Sequence, residues 1–277
     1  GKNNSGTLTI ATAPTSTGAM TVNGGTLKMD FAPSSSFATP SIAVNSGATL
    51  SLNVGGTGEF TSSDVSTIAA LGTATTGFKP GSWLALNPDN APQAAYTVGN
   101  VIGNPAAGHG LNLQKLGNGT LELTGLNTYT GATKITQGVL SVNSITNGET
   151  ASALGMSSKL KANLVFAGGT LRYTGPSART DRGFTYAVNT NVYAFEVTQP
   201  GTTLTFGSIS NATFDSGNTI IRKTGPGTLT FGKSYPSGGH GNYPVKAIHL
   251  LEGTMRVDIA GNTVQQNLYY AASNGPA

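Results

Sequence analysis

The chain has 277 residues, of which 9% are charged and 39 are glycine, and it contains no cysteine. The missing cysteines exclude disulfides and thiolate chemistry, and the short apolar runs exclude a membrane-spanning helix. The net charge of +4 comes from scattered side chains such as Lys28, Lys115 and Lys134, so we expect a mildly basic surface and no nucleic-acid partner.

A short unit recurs along the chain, in which a glycine is followed by threonine, leucine, a polar residue and an apolar residue. Copies or close variants lie at 6–10, 25–29, 47–52, 119–123, 138–142, 169–173, 201–206, 227–231 and 253–257. Apolar residues at alternate positions between glycine-rich corners are typical of short β-strands. The closest copies are about 19 to 26 residues apart, which is the spacing of coils in solenoid proteins.

A second strand precedes many of these units, so each coil is predicted to carry two or three strands. Examples are residues 20–22, 42–44, 164–166, 220–221 and 248–251. One coil cannot bury its own leucines, whereas stacking on the next coil, about 4.8 Å away, builds a continuous apolar interior. Because connections between parallel strands favour one hand, the sequence predicts an all-β, right-handed parallel β-helix (β-solenoid). We also expect asparagine and threonine side chains to form ladders along its axis.

Three stretches interrupt the spacing, and we expect them to be loops inserted into a single domain that spans residues 1–277. The first, about 55–110, is predicted to contain a helix from Ser63 to Gly72 and strands at 82–86 and 95–102. The second, about 143–161, is predicted to be a polar loop with a helical turn at 151–154. The third, about 232–243, is rich in glycine, proline and serine and is predicted to be flexible.

The segment LNLQKLGNGTLELTGLNTYTGATKITQGVLSV, residues 111–142, shows the unit most fully. Its part from Lys115 to Thr133 closely resembles the autotransporter-associated β-strand repeat, also called the passenger-associated transport repeat. The matching motif positions are Lys115, Gly117, Gly119, Thr120, Leu121, Leu123, Gly125, Asn127, Tyr129 and Gly131. A second, interrupted copy lies at 222–232.

The resemblance implies a β-helical passenger segment at the bacterial cell surface or outside the cell. It also implies a larger exported parent protein, whose signal peptide lies outside this chain. The repeat brings no catalytic residues, no cofactor and no metal. Since open β-helix ends expose unpaired backbone, we also expect end-to-end self-association.

Aromatic residues are the best candidates for ligand binding, because exposed rings next to asparagine and threonine suit sugars. The predicted contacts are Trp83, Tyr235 and Tyr243, with His240 in the same loop as the two tyrosines. Tyr129 and Tyr173 are expected to lie in the core instead. The segment from Arg179 to Arg182 has two interpretations, a structural corner in which Asp181 accepts backbone N–H groups, or an anion-binding point.

The leading functional hypothesis is a non-enzymatic stalk or adhesin-like display scaffold, whose partners are surface glycans or a host or cell-surface protein. The alternative is a carbohydrate-binding module that uses the loop aromatics. The third hypothesis is a polysaccharide-degrading enzyme, which needs two carboxylates across one sugar bond. The acids are scattered along the sequence, and His109, His240 and His249 lack the spacing of a zinc site.

Overall fold

The computed structural model describes residues 1–12, 18–32, 42–72, 75–106, 108–187, 192–207, 219–232, 245–257 and 268–269. The regular structure within these ranges consists mainly of short β-strands, which we number in chain order. Every pairing between two of these strands is parallel. This pairing confirms the predicted parallel β-helix, and its right-handed coiling stays a prediction.

The strands form four sheets. Sheet 1 contains Thr7–Ile10 (β1), Thr26–Met29 (β3), Thr49–Asn53 (β5), Trp83–Asn87 (β7), Asn112–Lys115 (β9), Thr133–Ile135 (β11), Leu164–Phe166 (β13) and Thr185–Tyr186 (β16). Sheet 2 contains Ala95–Val98 (β8), Thr120–Leu123 (β10), Val139–Val142 (β12), Thr170–Tyr173 (β14), Val192–Val197 (β17), Thr219–Thr224 (β19), Val245–Leu250 (β21) and Leu268–Tyr269 (β23). Sheet 3 contains Ala178–Thr180 (β15), Thr203–Phe206 (β18), Thr228–Phe231 (β20) and Thr254–Val257 (β22). Sheet 4 contains Met20–Val22 (β2), Ile42–Val44 (β4) and Gly77–Phe78 (β6).

The chain visits the sheets in a fixed order. Sheet 4 leads into sheet 1 near the N-terminus, as in β2 to β3, and sheet 1 leads into sheet 2 in the middle, as in β9 to β10. Sheet 2 leads into sheet 3 near the C-terminus, as in β19 to β20, and β15 of sheet 3 leads into β16 of sheet 1. Sheets 3 and 4 therefore form the same side of the coil, sheet 4 in the N-terminal part of the solenoid and sheet 3 in the C-terminal part.

The interior is built from inward-facing ladders. In sheet 1 the leucines stand in register from coil to coil, each at most 4% exposed: Leu27, Leu50, Leu84 and Leu113. Towards the C-terminus aromatic rings replace them, and the Phe184 ring centroid lies 4.8 Å from that of Tyr193 and 5.2 Å from that of Phe206. Edge-to-face packing of such rings fills the core with large apolar surfaces.

The Gly-Thr-Leu unit does not stay on one sheet. Its strands stack in threes, as β1, β3 and β5 in sheet 1, then β10, β12 and β14 in sheet 2, then β18, β20 and β22 in sheet 3. From the sequence alone, the unit would take the same position in every coil. In the structure it shifts twice along the chain, from sheet 1 to sheet 2 and then from sheet 2 to sheet 3. The unit encodes a corner followed by a strand, so it fits after any corner of the coil.

The asparagine ladder predicted from the sequence is present at the corner between sheets 4 and 1. The Asn23 side-chain amide donates to Oδ1 of Asn3 at 2.6 Å, and that of Asn45 donates to Oδ1 of Asn23 at 2.6 Å. Each asparagine thereby joins its coil to the one before it.

Among its described residues, the interrupting segment 55–110 contains one α-helix, Ser62–Ala69 (α1). The cap is Thr61 and not the predicted serine, because the Thr61 hydroxyl and the Asp64 carboxylate each accept the other residue's backbone N–H. The strands predicted in this segment are confirmed as β7 and β8. The part of the chain that the structure describes holds no helix long and apolar enough to cross a lipid bilayer.

The helical turn predicted at 151–154 is present as one hydrogen-bonded turn and does not extend into a helix. Ser152 forms an isolated bridge with Asn127, and Ala153 and Leu154 form a turn. The backbone N–H of Gly155 donates to the oxygen of Ser152 at 2.9 Å and closes this turn, and the backbone N–H of Asn127 on the preceding coil donates to the same oxygen at 3.0 Å. Short 3-10 helices lie at Pro92–Ala94 and Lys161–Asn163.

Candidate functional site

Lys115 of the repeat motif lies inside the solenoid. It is the last residue of β9, on the same face as the buried Leu113, and only 1% of it is exposed. Its Nζ donates to the backbone oxygens of Leu116 at 2.6 Å, Gly117 at 2.8 Å and Gln137 at 3.2 Å. Because Gln137 belongs to the next coil, Lys115 joins two coils. Placing Lys115 on a basic surface was therefore wrong, since the alternation of the strand turns it inward.

Lys223, at the corresponding position of the interrupted copy, is 0% exposed. Its Nζ donates to the backbone oxygens of Thr224 at 2.6 Å, Gly225 at 2.6 Å and Glu252 at 3.3 Å. Burial lowers the pKa of Lys115 and of Lys223 from 10.5 to about 8, and nearby carboxylates such as Asp89 and Glu252 oppose this shift.

This lowered pKa predicts a stability that rises with pH. Between pH 8 and about 10 the unfolded chain keeps two lysine protons that the folded chain has released, so raising the pH favours the folded state. Each lysine contributes at most about 1.4 kcal/mol per pH unit. Above pH 10 Tyr129 opposes the trend, because burial raises its pKa to about 12 and the unfolded tyrosine ionises first.

Urea unfolding at pH 8.0 and 9.5 measures the effect. We expect a higher midpoint at pH 9.5 in the wild type and a much smaller difference in the double variant Lys115→Met, Lys223→Met. Lys134→Met is the matched control, because Lys134 is partly exposed on β11, and it should keep the full rise. A rise of equal size in the double variant would contradict the assignment.

The remaining motif positions also build the coil. Leu121 and Leu123 are buried inward residues of β10, on which Thr120 is half-buried. The motif glycines sit where a Cβ would crowd atoms outside their own corner: Gly117, Gly119, Gly125 and Gly131. For example, a Cβ at Gly131 would clash with the backbone oxygen of Leu111 on the preceding coil. These glycines are required by close packing between coils.

Asn127 links three successive coils in the middle of the solenoid. It lies outside the strands of the four sheets. It is 0% exposed, and its Oδ1 accepts from the backbone N–H of Ile102 at 2.8 Å. Its Nδ2 donates to the oxygen of Ala153 at 2.9 Å, and its backbone N–H donates to the oxygen of Ser152 at 3.0 Å. Tyr129, also 0% exposed, and Tyr173, 1% exposed, lie in the core as predicted.

The predicted ligand contacts are only partly described. Tyr235, His240 and Tyr243 lie outside the described residues, so their role stays a prediction. Trp83 begins β7 in sheet 1 and is half-buried, and Nζ of Lys134 lies 5.9 Å from the centroid of its ring. This cation–π contact occupies part of the ring surface that a sugar would need.

A groove of about 430 Å³ runs across the outer face of sheet 2, and its lining residues were not among the predicted ligand contacts. Most of the residues that line it have polar side chains: Ala95, Tyr96, Thr97, Thr120, Glu122, Ser141, Arg172, Thr174, Glu196 and Thr198. Glu122, Ser141, Arg172 and Glu196 are register partners on successive strands.

Contacts within the groove hold its charged side chains. The Thr97 hydroxyl donates to Oε2 of Glu122 at 2.6 Å, and Nε of Arg172 lies 2.8 Å from Oε2 of Glu196. The short side chain of Ser141 lies between the long side chains of Glu122 and Arg172, so the floor of the groove is lower at Ser141 than on either side of it. The period-two alternation of each strand predicts that these residues face outward. It does not predict that they are aligned with one another, because the coils that join their strands differ in length.

The charged corner near Arg182 is structural. The Arg182 side chain is 3% exposed, and its guanidinium donates to backbone oxygens of Thr146 at 3.0 Å and Gly155 at 2.9 Å and to Oγ of Ser157 at 2.9 Å. Asp181 accepts from the backbone N–H of Gly148 at 2.8 Å, as predicted. The anion-binding interpretation is wrong for Arg182, because its donors are taken by the chain itself.

Several acids outside the groove likewise serve the backbone. Carboxylates accept a backbone N–H at Glu59, Asp64, Asp89 and Asp181. The residues that the structure describes include no group of three or more histidines or acids that could hold a metal ion.

The model of the passenger-associated transport repeat family matches residues 2–29 and 113–142. The chain is 41% identical over 124 residues to the Adhesin BmaC autotransporter of Brucella suis biovar 1 (strain 1330), and this match covers 45% of the chain and 4% of that adhesin. No solved structure matches the chain. The repeat residues matched at 113–142 include Lys115 and Asn127, which join the coils described above. Residues 2–29 and 113–142 of the chain therefore carry the passenger-associated transport repeat.

Proposed function

We propose that the chain is a rigid, non-enzymatic stalk or display segment of a larger surface-exposed passenger. The observation that carries this proposal is the pair of eight-stranded parallel sheets. Each sheet spans seven strand spacings of about 4.8 Å, or roughly 34 Å along the axis. A rod of stacked coils with a continuous apolar interior resists bending and holds the parts attached to it at a distance.

The relatives support a place at the cell surface. The repeat family is named for its association with passenger transport, and the similar protein is named an adhesin and an autotransporter. Since the chain spans 4% of that adhesin's length, a larger exported protein is the natural setting for the segment. Adhesion by the whole protein is part of this proposal.

The positions of the groove acids argue against glycoside hydrolysis. Glu122 and Glu196 are separated by three strand steps, which place their Cα atoms about 14 Å apart. Glycosidases hold their two carboxyl groups roughly 5–10 Å apart, so these two side chains would have to lean towards each other, whereas Glu122 is held by Thr97 on the side away from Glu196. Oε2 of each acid is also engaged, by Thr97 and by Arg172 respectively.

A second candidate function is weak binding of a neutral glycan in the groove of sheet 2. Carboxylates, a guanidinium and several hydroxyls repeat there at the spacing of the coils, which suits a hydroxyl-rich chain lying along the axis. The aromatic residue lining the groove is Tyr96, whose hydroxyl accepts from the backbone N–H of Ser62 at 2.7 Å. This arrangement offers little of the stacking surface that strong sugar binding uses.

A glycan array tests both functions. The stalk proposal predicts no selective binding that survives 0.5 M salt, in the wild type or in the double variant Glu122→Gln, Arg172→Met. Because both side chains are partly exposed, the variant should stay folded. Selective, salt-resistant binding that the double variant loses would overturn the purely structural role and establish the groove as a contact site. Binding that disappears in salt would reflect the basic surface alone.

A further inference from the structure

Three lysines occupy the same kind of corner. Each precedes a glycine, a threonine and a leucine by the same number of residues, in the sequences KNNSGTL, KLGNGTL and KTGPGTL that begin at Lys2, Lys115 and Lys223. Nζ of Lys2 donates to the backbone oxygen of Asn4 in its own corner and to that of Gly24 in the next coil at 3.2 Å. Each of the three lysines therefore donates to the backbone oxygen of the residue two positions after it. Each also donates to one backbone oxygen of the following coil.

The backbone contacts around the three corners are also the same. In each case the oxygen of the lysine accepts an N–H from the next coil, as in Asn23 to Lys2 at 2.7 Å, Thr136 to Lys115 at 3.0 Å and Leu251 to Lys223 at 2.9 Å. In each case the oxygen of the corner's last glycine accepts a second one, as in Thr26 to Gly6 at 3.1 Å, Val139 to Gly119 at 3.2 Å and Thr254 to Gly227 at 3.2 Å.

A glycine of the second coil completes the fit. Gly138 has a φ of +59°, and a Cβ there would clash with the backbone oxygens of Asn118 and Gly119. Gly25 and Gly253, at φ of +65° and +71°, lie in the same way against the corners that follow Lys2 and Lys223. The lysine corner thus accepts a coil whose own corner carries glycine at this position.

We propose that the repeat is a two-coil module that forms as one unit, with the lysine as the positioning residue that recognises its second coil. The amines of Lys115 and Lys223 leave water only when the second coil supplies a carbonyl oxygen, so the first coil is incompletely satisfied alone, whereas Lys2 stays partly exposed. Three modules follow, and their described residues are 2–12 with 18–29, then 113–142, and then 223–232 with 245–257. The third lies outside the residues that the family model matches, yet it has the same contacts.

The modules occupy successive pairs of sheets. Module one lies on sheets 4 and 1, module two on sheets 1 and 2, and module three on sheets 2 and 3. The lysine corner therefore forms between any two successive sheets. This is expected if the contacts between the two corners, and not the rest of the coil, determine which coil the lysine recognises.

Native-state hydrogen exchange on the full chain tests the module directly. In the wild type, the amides of β9 and β10 and those of β11 and β12 should open together, with the same protection factor. Different protection of the two coils would overturn the proposal, and this comparison needs no variant.

Substitution of the lysine gives the second test. Lys115→Met should lower the protection of β9 to β12 by roughly 10-fold, because three corner carbonyls lose their donor, and should leave β5 and β17 unchanged. Lys223→Met should act in the same way on β19 to β22. Lys134→Met, on the partly exposed part of β11, should change neither set. Loss confined to the lysine's own coil, loss spread evenly along the chain, or an equal effect of Lys134→Met would each overturn the proposal.

Discussion

Replacing Asn127 with alanine is expected to lower the free energy of unfolding by about 3 kcal/mol or more, since two buried backbone groups lose their partner. Those groups are the N–H of Ile102 on the preceding coil and the oxygen of Ala153 on the following one. The site is 0% exposed, so water cannot replace the lost amide without opening the coil. Urea unfolding followed by circular dichroism measures the change.

Asn118→Ala is the matched control for this substitution. Asn118 belongs to the same repeat but its side chain is exposed at the corner, so its replacement should change the free energy of unfolding by less than about 0.5 kcal/mol. If Asn127→Ala were as mild as Asn118→Ala, the amide would not be a structural link between coils, and a ligand-contact role for Asn127 would have to be considered.

The fold was predictable because its signal is redundant. Every coil repeats a glycine-rich corner followed by a strand with alternating apolar residues, so an error in one copy is corrected by the next. The ladder of Asn3, Asn23 and Asn45 was predictable for the same reason, since equal residues follow equal strands. The change of sheet was not predictable, because a corner-and-strand unit carries no information about which side of the coil it occupies.

The roles of single motif residues were harder to predict. Lys115 follows Leu111 and Leu113 at period two, and this alternation was a signal for an inward lysine. The general preference of lysine for the surface outweighed it in the sequence interpretation. What the sequence does not display is the acceptor on the next coil, the oxygen of Gln137, which makes burial of the amine tolerable.

The groove of sheet 2 could not be predicted from spacing. Its residues Glu122, Ser141, Arg172 and Glu196 are separated by 19, 31 and 24 positions, because loops of different length connect the coils. Register partners are aligned by the ladder of backbone hydrogen bonds, and the intervening loop length is free to vary. Surface sites of solenoids are therefore less visible in sequence than their cores.

Arg182→Met is expected to destabilise the chain by about 3 kcal/mol or more, because several acceptors lose a charged donor at once. The guanidinium contacts Thr146, Ser157 and Gly155, which all lie in the interrupting segment 143–161. That segment packs against the repeat, where the N–H of Met156 donates to the oxygen of Tyr129 at 2.8 Å. We therefore expect early proteolytic cleavage within 143–161, together with a lower midpoint of unfolding.

Two further variants separate geometry from charge. Arg182→Lys keeps the charge, but one ammonium cannot reach acceptors that surround a planar guanidinium, so it should recover less than half of the lost stability. Arg179→Met is the control, because Arg179 is exposed and has one long contact, 3.5 Å from Nη2 to the oxygen of Gly207. It should change the free energy of unfolding by less than about 0.5 kcal/mol. Full recovery with lysine would mean that charge alone holds the segment, and the fixed fork of hydrogen bonds would then be dispensable.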